Sequence, residues 1–316
     1  MNVGVDRIWK CVQRALPKSG RMCLWLLKII LPISLLVRLL QYSGFLTNVS
    51  DMLFPVFSLI GLPGETAIIF LTSLFTPLYA PLAIMTSMPL GMREATILTL
   101  MCLLSHNLIV ESAIQSKTGS SFWGITVFRV VMSFIIAFFL NQVMPHEGWG
   151  QMVASQSAEV CDTLLQVFTL WFVSSVKIVF LIVVIVTALM LLHYILEEFN
   201  LLHGLSEYLS PLMRIFGLPK DTAFLWLVGN LVGLAYGGAI MVEQIEQKKL
   251  SYESGRLLNV HLAVSHSLLE DTLIFVAIGI PALWIICTRL LFAVLVVWLR
   301  RAYSLFIVSR IKHIRV

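Results

Sequence analysis

The sequence is poor in charged residues, which occupy only 12% of its 316 positions. Apolar residues make up 59%, and the mean hydropathy is +0.92. Soluble domains contain about 25% charged residues, so this composition excludes an ordinary soluble enzyme. It predicts an all-α polytopic membrane protein.

Paired cysteines and the common catalytic motifs are also missing. The five cysteines show no C-x-x-C spacing, which argues against a disulfide framework and against a zinc site. The sequence contains no P-loop, Rossmann fingerprint, H-E-x-x-H or G-x-S-x-G motif. We therefore expect no enzyme activity, no organic cofactor and no bound metal. An intramembrane hydrolase using Ser105 or Ser265 is the least favoured alternative.

Long apolar windows are abundant. A helix of roughly 20 apolar residues crosses about 30 Å of hydrocarbon. Eight windows reach that length, at 24–43, 64–88, 95–114, 122–143, 174–197, 219–242, 257–279 and 281–300. Basic residues cluster before the first window and after the last, which predicts that both termini are cytoplasmic. Residues 1–23 fit a basic amphipathic helix on the membrane surface, or a frayed tail.

Two short motifs occur twice and divide the chain into repeats. The pattern G-L-P-x-[ED]-T-A begins at Gly61 and at Gly217, and a Ser-His pair ends at His106 and at His266. Such self-similarity indicates one duplicated unit. The predicted organisation is a basic N-terminal segment, a first repeat, an external linker, a second repeat and a basic cytoplasmic tail, at 1–23, 24–144, 145–173, 174–300 and 301–316.

Loop charges predict that the repeats are inverted. The linker contains acidic residues and no Lys or Arg, so it is expected outside although both termini are inside. Each repeat must then cross the membrane an odd number of times. The windows 64–88 and 219–242, rich in Pro or Gly, are predicted to be re-entrant hairpins, which leaves three spans per repeat. Arg93 then falls on the outer side, against the charge rule. The alternative is eight simple spans in parallel repeats.

Polar residues inside apolar windows mark the candidate substrate site, because ionisable groups are costly at membrane depth and are often functional there. The candidates are Glu65, Thr66, His106, Asn107, Glu111, Asp221, Thr222, Asn230, His266, Glu270 and Asp271. Helical spacing predicts that His266 shares a face with Glu270. These groups could carry a proton, bind a cation or hydrogen-bond a polar solute. The alternatives are capping roles for the Glu-Thr and Asp-Thr pairs, and an interhelical network for the others.

These motifs resemble the Gate domain, also called the nucleoside recognition domain. That domain occurs in concentrative nucleoside transporters, in the membrane part of the ferrous iron transporter FeoB and in the paired spore maturation proteins A and B. The chain resembles a fused pair of such domains. The resemblance implies an integral protein of the bacterial inner membrane, with inverted repeats, central hairpins and a transport-like role.

The sequence therefore favours a secondary carrier for a small polar solute or a lipid-linked substrate, coupled to a proton or a sodium ion. In such carriers the substrate binds near the membrane midplane, where inverted repeats meet. Expected partners are membrane lipids, the substrate and, as a homo-oligomer, further copies of the chain, but not nucleic acid. A non-transporting scaffold or accessory subunit is the alternative function.

Overall fold

A computed structural model describes residues 3–43, 45–146 and 163–314, and all regular structure in these ranges is helical. The all-α polytopic architecture is confirmed. The first half contains helices α1 Val3–Tyr42, α2 Phe45–Ser58, α3 Ala67–Phe75, α4 Tyr79–Met85, α5 Met92–Ser105, α6 Leu108–Ser116 and α7 Phe122–Val143. The second half contains α8 Leu164–Glu198, α9 Leu201–Ile215, α10 Ala223–Leu231, α11 Leu234–Glu246, α12 Tyr252–Ser265, α13 Leu268–Val276 and α14 Ala282–Ile314.

The same order of elements occurs in both halves. Within the described residues, each half has a long helix, six further helices and one short 3₁₀ turn, at Gly64–Thr66 and at Lys220–Thr222. The backbone repeats in detail as well, since Gly61 and Gly217 have φ angles of 72° and 71°. The opposite membrane orientation of the halves stays a prediction. The predicted linker residues 147–162 lie outside the described residues, and residues 164–173 of that linker belong to α8.

Three helices are long and apolar enough to cross a membrane among the described residues. They are Phe122–Val143, Leu164–Glu198 and Ala282–Leu305. The pair α5 and α6 passes the same test together, but it bends by 42°. The continuous span predicted over 95–114 is therefore broken. The number of full crossings, predicted to be six, stays a prediction.

The predicted hairpins are pairs of short helices packed against each other. In the first, α3 and α4 are separated at Thr76, whose backbone is extended, and at the following Pro77. In the second, α10 and α11 are separated at Gly233, whose φ of 103° suits a residue without a side chain. Pro and Gly thus end these helices, as the sequence predicted. The return of each hairpin to its own side of the membrane stays a prediction.

The basic N-terminal segment and the first apolar window form a single helix. Helix α1 runs through Pro17 and Pro32 without interruption and packs along α8. The Nε of Arg7 lies 3.0 Å from a carboxylate oxygen of Glu198 near the end of α8. The indole of Trp171 donates to the Ser34 hydroxyl at 3.0 Å. Residues 3–23 are thus helical, and whether they lie along a membrane surface stays a prediction.

The helices cluster into two compact units that differ from the sequence halves. Unit 1 contains Met1–Ile109, Val130–Phe199 and Glu270–Ile285. Unit 2 contains Val110–Arg129, Asn200–Leu269 and Ile286–Val316. Each unit thus includes a segment from the other half of the sequence. In unit 1, α5 is buried on nearly all sides, and in unit 2 α12 is buried in the same way.

Candidate substrate site

The Ser-His motif of the second half lies where a helix breaks. Helix α12 ends at Ser265, and Ser267 takes the left-handed backbone conformation with a φ of 52°. The N–H of Ser267 donates to the carbonyl of Gly229 at 2.9 Å, which ties this break to the hairpin of α10 and α11. Broken helices leave backbone groups without intrahelical partners, so the two breaks in unit 2 stabilise each other.

The first Ser-His motif has the same local structure in unit 1. Asn107 has a φ of 46°, and its N–H donates to the carbonyls of Ser73 and Thr76 at 2.9 and 3.2 Å. Those carbonyls belong to the end of α3 and the hairpin break. In each unit the break at the Ser-His motif therefore meets the break of the hairpin.

These breaks correct one expectation from helical spacing. His266 and Glu270 were predicted to share a helical face, but the chain leaves the helical conformation at Ser267. Asn107 likewise precedes the start of the helix that contains Glu111. Spacing of four residues therefore does not place either pair on one helix. The spacing argument does hold within α12, where the Nδ1 of His261 lies 2.9 Å from the hydroxyl of Ser265.

Unit 2 brings together three buried ionisable side chains. The Oε2 atom of Glu111 lies 2.6 Å from Nη2 of Arg129 and 3.1 Å from Nε2 of His266. Arg129 and His266 are completely buried, and Glu111 is 7% exposed. Charges are desolvated in such a place, which is tolerated only when opposite charges are in contact. We call these three residues the Glu111 cluster.

The imidazole of His266 faces the carboxylate of Glu111 through its Nε2 atom. Its Nδ1 lies 2.7 Å from the carbonyl oxygen of Leu262, and a carbonyl can only accept, so Nδ1 carries a hydrogen. In a neutral ring Nε2 would then present a lone pair to the carboxylate. With Nε2 only 3.1 Å from the carboxylate, a protonated ring forms an ion pair with Glu111. The net charge of the Glu111 cluster therefore depends on whether this imidazole is protonated.

Arg289 fixes the backbone on which His266 lies. Its Nε donates to the carbonyl of Val264 at 2.8 Å, and its Nη2 donates to the carbonyl of His266. The side chain is completely buried on α14. Two carbonyls released by the helix break are thus bound by one guanidinium, whose planar donors suit such paired contacts.

Asn230 and His261 are among the residues of unit 2 with a buried polar atom that has no hydrogen-bond partner in the described residues. Asn230 donates from its amide to the carbonyl of Trp226 at 2.8 Å, but its Oδ1 has no partner. The Nε2 of His261 also has none, while its Nδ1 receives the indole N–H of Trp226 at 3.3 Å. Native proteins rarely leave such atoms unpaired. One acceptor and one donor are thus available to a polar solute.

The other predicted residues are spread over both units. In unit 1 the Tyr79 hydroxyl donates to half-buried Glu270 at 3.2 Å, and Asp271 is 2% exposed. Also in unit 1, His106 is buried, with Nδ1 3.1 Å from the carbonyl oxygen of Leu103.

The four residues at the short 3₁₀ turns have a structural role. The hydroxyls of Thr66 and Thr222 donate to the carbonyls of the prolines three residues earlier, at 2.7 and 2.6 Å. Both threonines are completely buried, whereas the side chains of Glu65 and Asp221 are exposed. Each threonine therefore closes the turn at the start of its hairpin. A substrate-binding role for the four stays a prediction.

Sequence reasoning missed Arg129, Arg289 and Tyr79. The two arginines lie inside apolar windows, 160 positions apart, which is the spacing of the repeated Ser-His pairs. An arginine at the equivalent position inside each of two matched spans is a signal for a buried ion-pair partner. No sequence pattern distinguished Tyr79 from an ordinary residue of an apolar hairpin.

Residues 23–117 match a protein family described as Nucleoside recognition, or Gate. The matched region includes the first G-L-P and Ser-His motifs, so the resemblance indicated by the motifs is confirmed there. The chain is also similar to the uncharacterized membrane protein YvoD of Bacillus subtilis strain 168. The two are 31% identical over 283 residues, which cover 88% of this chain and 90% of that relative. No solved structure matches the chain.

Proposed function

We propose that this chain, which belongs to the same family as the membrane protein YvoD and matches the Gate (nucleoside recognition) domain over residues 23–117, is a secondary carrier. The substrate is a small polar solute or a lipid-linked molecule. The Glu111 cluster is the part of the site that binds the coupling proton, or a cation in its place. Polar solutes suit the unpaired oxygen of Asn230 and the unpaired nitrogen of His261.

One observation supports this proposal above all others, namely that the imidazole of His266 faces the carboxylate of Glu111 beside Arg129. A permanent ion pair would need only Arg129, whose Nη2 is already 2.6 Å from the carboxylate. The additional imidazole at 3.1 Å makes the charge of the cluster variable. Loss of the proton would leave a lone pair facing a carboxylate, and this repulsion would favour a rearrangement of the broken helix. Variable charge in a buried site is typical of proton relays in transporters.

The energy source follows from what the sequence contains. No nucleotide-binding motif is present, so we propose coupling to a proton or sodium gradient. A sodium ion could take the place of the coupling proton, because carboxylate oxygens bind hard cations. The chain needs no other cofactor for this mechanism.

We propose that the protein lies in the bacterial inner membrane with both termini in the cytoplasm. Arg7, Lys10 and Arg14 precede the first span, and Arg300 and Arg301 lie near the end of the last. Positively charged flanks are retained on the cytoplasmic side of bacterial inner membranes.

The experiment compares Glu111→Gln with the matched control Glu246→Gln in purified full-length protein. Glu246 is exposed at the end of α11. Melting temperatures are measured with nucleosides, amino acids, metal ions and lipid phosphates, and any ligand found is then tested for flux in proteoliposomes with a pH gradient. We expect wild type and Glu246→Gln to respond to the same ligand, and Glu111→Gln to fold but to lose proton-dependent flux.

Two outcomes would contradict the proposal. Flux in Glu111→Gln that still follows the pH gradient would remove the cluster from the coupling mechanism. A scaffold would instead show a lower melting temperature for Glu111→Gln together with no ligand response in wild type. The buried network of the cluster would then serve only to hold the helices of unit 2 together.

A further inference from the structure

Unit 2 contains a cleft on residues that the Glu111 cluster does not use. It has a volume of about 370 Å³ and lies between the start of α7, α12 and α14. Its polar lining consists of Ser120, Ser121, Arg256 and Arg300. Its apolar lining consists of Ile125, Phe128, Val260, Val296 and Leu299. The cleft thus combines a cationic region with a hydrocarbon wall.

The two arginines of the cleft lack anionic partners. Arg256 on α12 is exposed, and Arg300 on α14 is half-buried. Neither guanidinium forms an ion pair or a hydrogen bond within the described ranges of the chain, and their like charges repel each other. An anion bound between them would remove this repulsion. Guanidinium groups bind phosphate oxygens through paired N–H donors, which makes a phosphate group the best match.

The serines add neutral donors to the same region. The Ser120 hydroxyl oxygen accepts from the Asn259 amide at 3.0 Å, and that of Ser121 accepts from the N–H of Gly124 at 3.4 Å. Each hydroxyl therefore keeps its own hydrogen for donation to a ligand. Asn259 is 1% exposed and also binds Thr118, so the loop before α7 is held in place. Helix α7 begins at Phe122, directly after the serines, and its first N–H groups favour negative charge.

The polar lining is not a requirement of the repeated fold. At the spacing of 160 that relates the Ser-His motifs, the positions equivalent to the two arginines and two serines are Thr96, Leu140, Ile280 and Pro281. None of these is basic, and only the threonine has a hydroxyl. The apolar wall, in contrast, is largely apolar in both repeats. The donors of the cleft, two from each repeat, thus have almost no counterparts at the equivalent positions, which favours a ligand over a structural need.

We propose that this cleft binds the phosphate group of an anionic phospholipid. The arginines and serines bind the phosphate oxygens, and the apolar wall contacts the first carbons of the acyl chains. Basic pockets between membrane helices on the cytoplasmic side are suited to such headgroups. The expected cytoplasmic location of Arg256 and Arg300 agrees with that side.

The test measures lipid binding to purified full-length protein by native mass spectrometry and by melting temperature. The probes are phosphatidylglycerol, phosphatidylcholine and inorganic phosphate. One double variant combines Arg256→Gln with Arg300→Gln. The control is a second double variant, Lys248→Gln with Lys249→Gln, which removes the same charge at exposed positions outside the cleft. We expect phosphatidylglycerol to bind and to raise the melting temperature. We expect the double arginine variant to bind it roughly tenfold more weakly or worse, and the lysine control to be unchanged.

Three results would overturn the assignment. Equal binding of phosphatidylcholine would show that negative charge is not recognised, and an equal shift with inorganic phosphate would indicate a site for free anions. If the lysine control lost as much phosphatidylglycerol binding as the double arginine variant, the effect would come from net charge and not from the cleft. Should the double variant fail to fold, Arg256→Gln alone gives the same comparison, because this exposed side chain has no hydrogen-bond partner in the described residues.

Discussion

Arg129 and Arg289 occupy equivalent positions of the two repeats, and both are completely buried. Arg129 contacts the carboxylate of Glu111, whereas Arg289 donates to the backbone carbonyls of Val264 and His266. Arg129 therefore balances the charge of Glu111, and Arg289 stabilises the broken backbone around His266. Substitutions at the two positions should have distinguishable consequences.

Replacement of Arg129 by Met should strongly destabilise the protein, because Glu111 would remain buried without its cation. Breaking a buried ion pair in this way costs about 3–5 kcal/mol. The double variant Arg129→Met with Glu111→Met should regain most of the lost stability, since apolar residues of similar volume often replace buried pairs well. Melting temperature in detergent measures both effects, and flux should be absent in both variants. If the double variant were no more stable than Arg129→Met, the unpaired charge of Glu111 would not be the cause of the lost stability.

Replacement of Arg289 by Met should also destabilise the protein, but the change Glu111→Met should not restore it. The lost donors leave buried carbonyls unsatisfied, which costs about 1–3 kcal/mol for each group. Arg289→Lys should keep only part of the stability that Arg289→Met loses, because an ammonium group lacks the planar donors that reach both carbonyls. Melting temperatures of the three variants give the comparison. Full stability in Arg289→Lys would indicate that charge alone matters at this position.

Substitution of Gly217 by Ala should lower stability, whereas Gly204→Ala should not. Gly217 has a φ of 71°, and a Cβ there would lie about 3.1 Å from Val297. A left-handed conformation costs an L-residue about 1–2 kcal/mol. Gly204 lies inside α9 with no atom near the position of a Cβ. Alanine there should therefore raise the free energy of unfolding by about 0.5–1 kcal/mol. The difference in melting temperature between the two variants is the measurement, and equal effects would contradict the role of backbone strain.

Cysteine labelling tests the sidedness that loop charges predict. In a cysteine-free background, Ser155→Cys in the linker should react with a membrane-impermeant maleimide on intact cells. Lys249→Cys, in the loop after α11, should react only after the cells are opened. The reverse pattern would place the termini outside. Arg93 does not count against this orientation, because it is 5% exposed and donates to the Asn141 side chain at 2.8 Å, so it is a structural group.

The hairpins could be predicted because their breaks use residues with a clear backbone signature. Pro77 cannot donate a helical hydrogen bond, and Gly233 takes a φ that other residues avoid. The helix breaks after the two Ser-His pairs contain neither Pro nor Gly, so the sequence did not indicate them. Asn107 and Ser267 adopt left-handed conformations that are held by hydrogen bonds to residues far away in the sequence, which periodicity cannot reveal.

The candidate site could also be predicted only in part, because only some of its residues have a signal in the sequence. Glu111 and His266 stood out as ionisable groups in apolar windows, and the structure places them in contact. Their arginine partner was missed because a single cation scarcely lowers the hydropathy of a long window. The exchange of segments between the sequence halves also has no local signature, since it depends on which helices pack together.

The membership of Val110–Arg129 in unit 2 has a consequence for how the protein is made. When the ribosome has completed the first half, Glu111 and Arg129 have emerged, but the helices that complete unit 2 have not yet been synthesised. The newly inserted half must therefore hold this acid–base pair until His266 follows, about half a chain later. A gene fragment encoding the first half alone would produce an incomplete unit, and simultaneous expression of both fragments would be needed to assemble it.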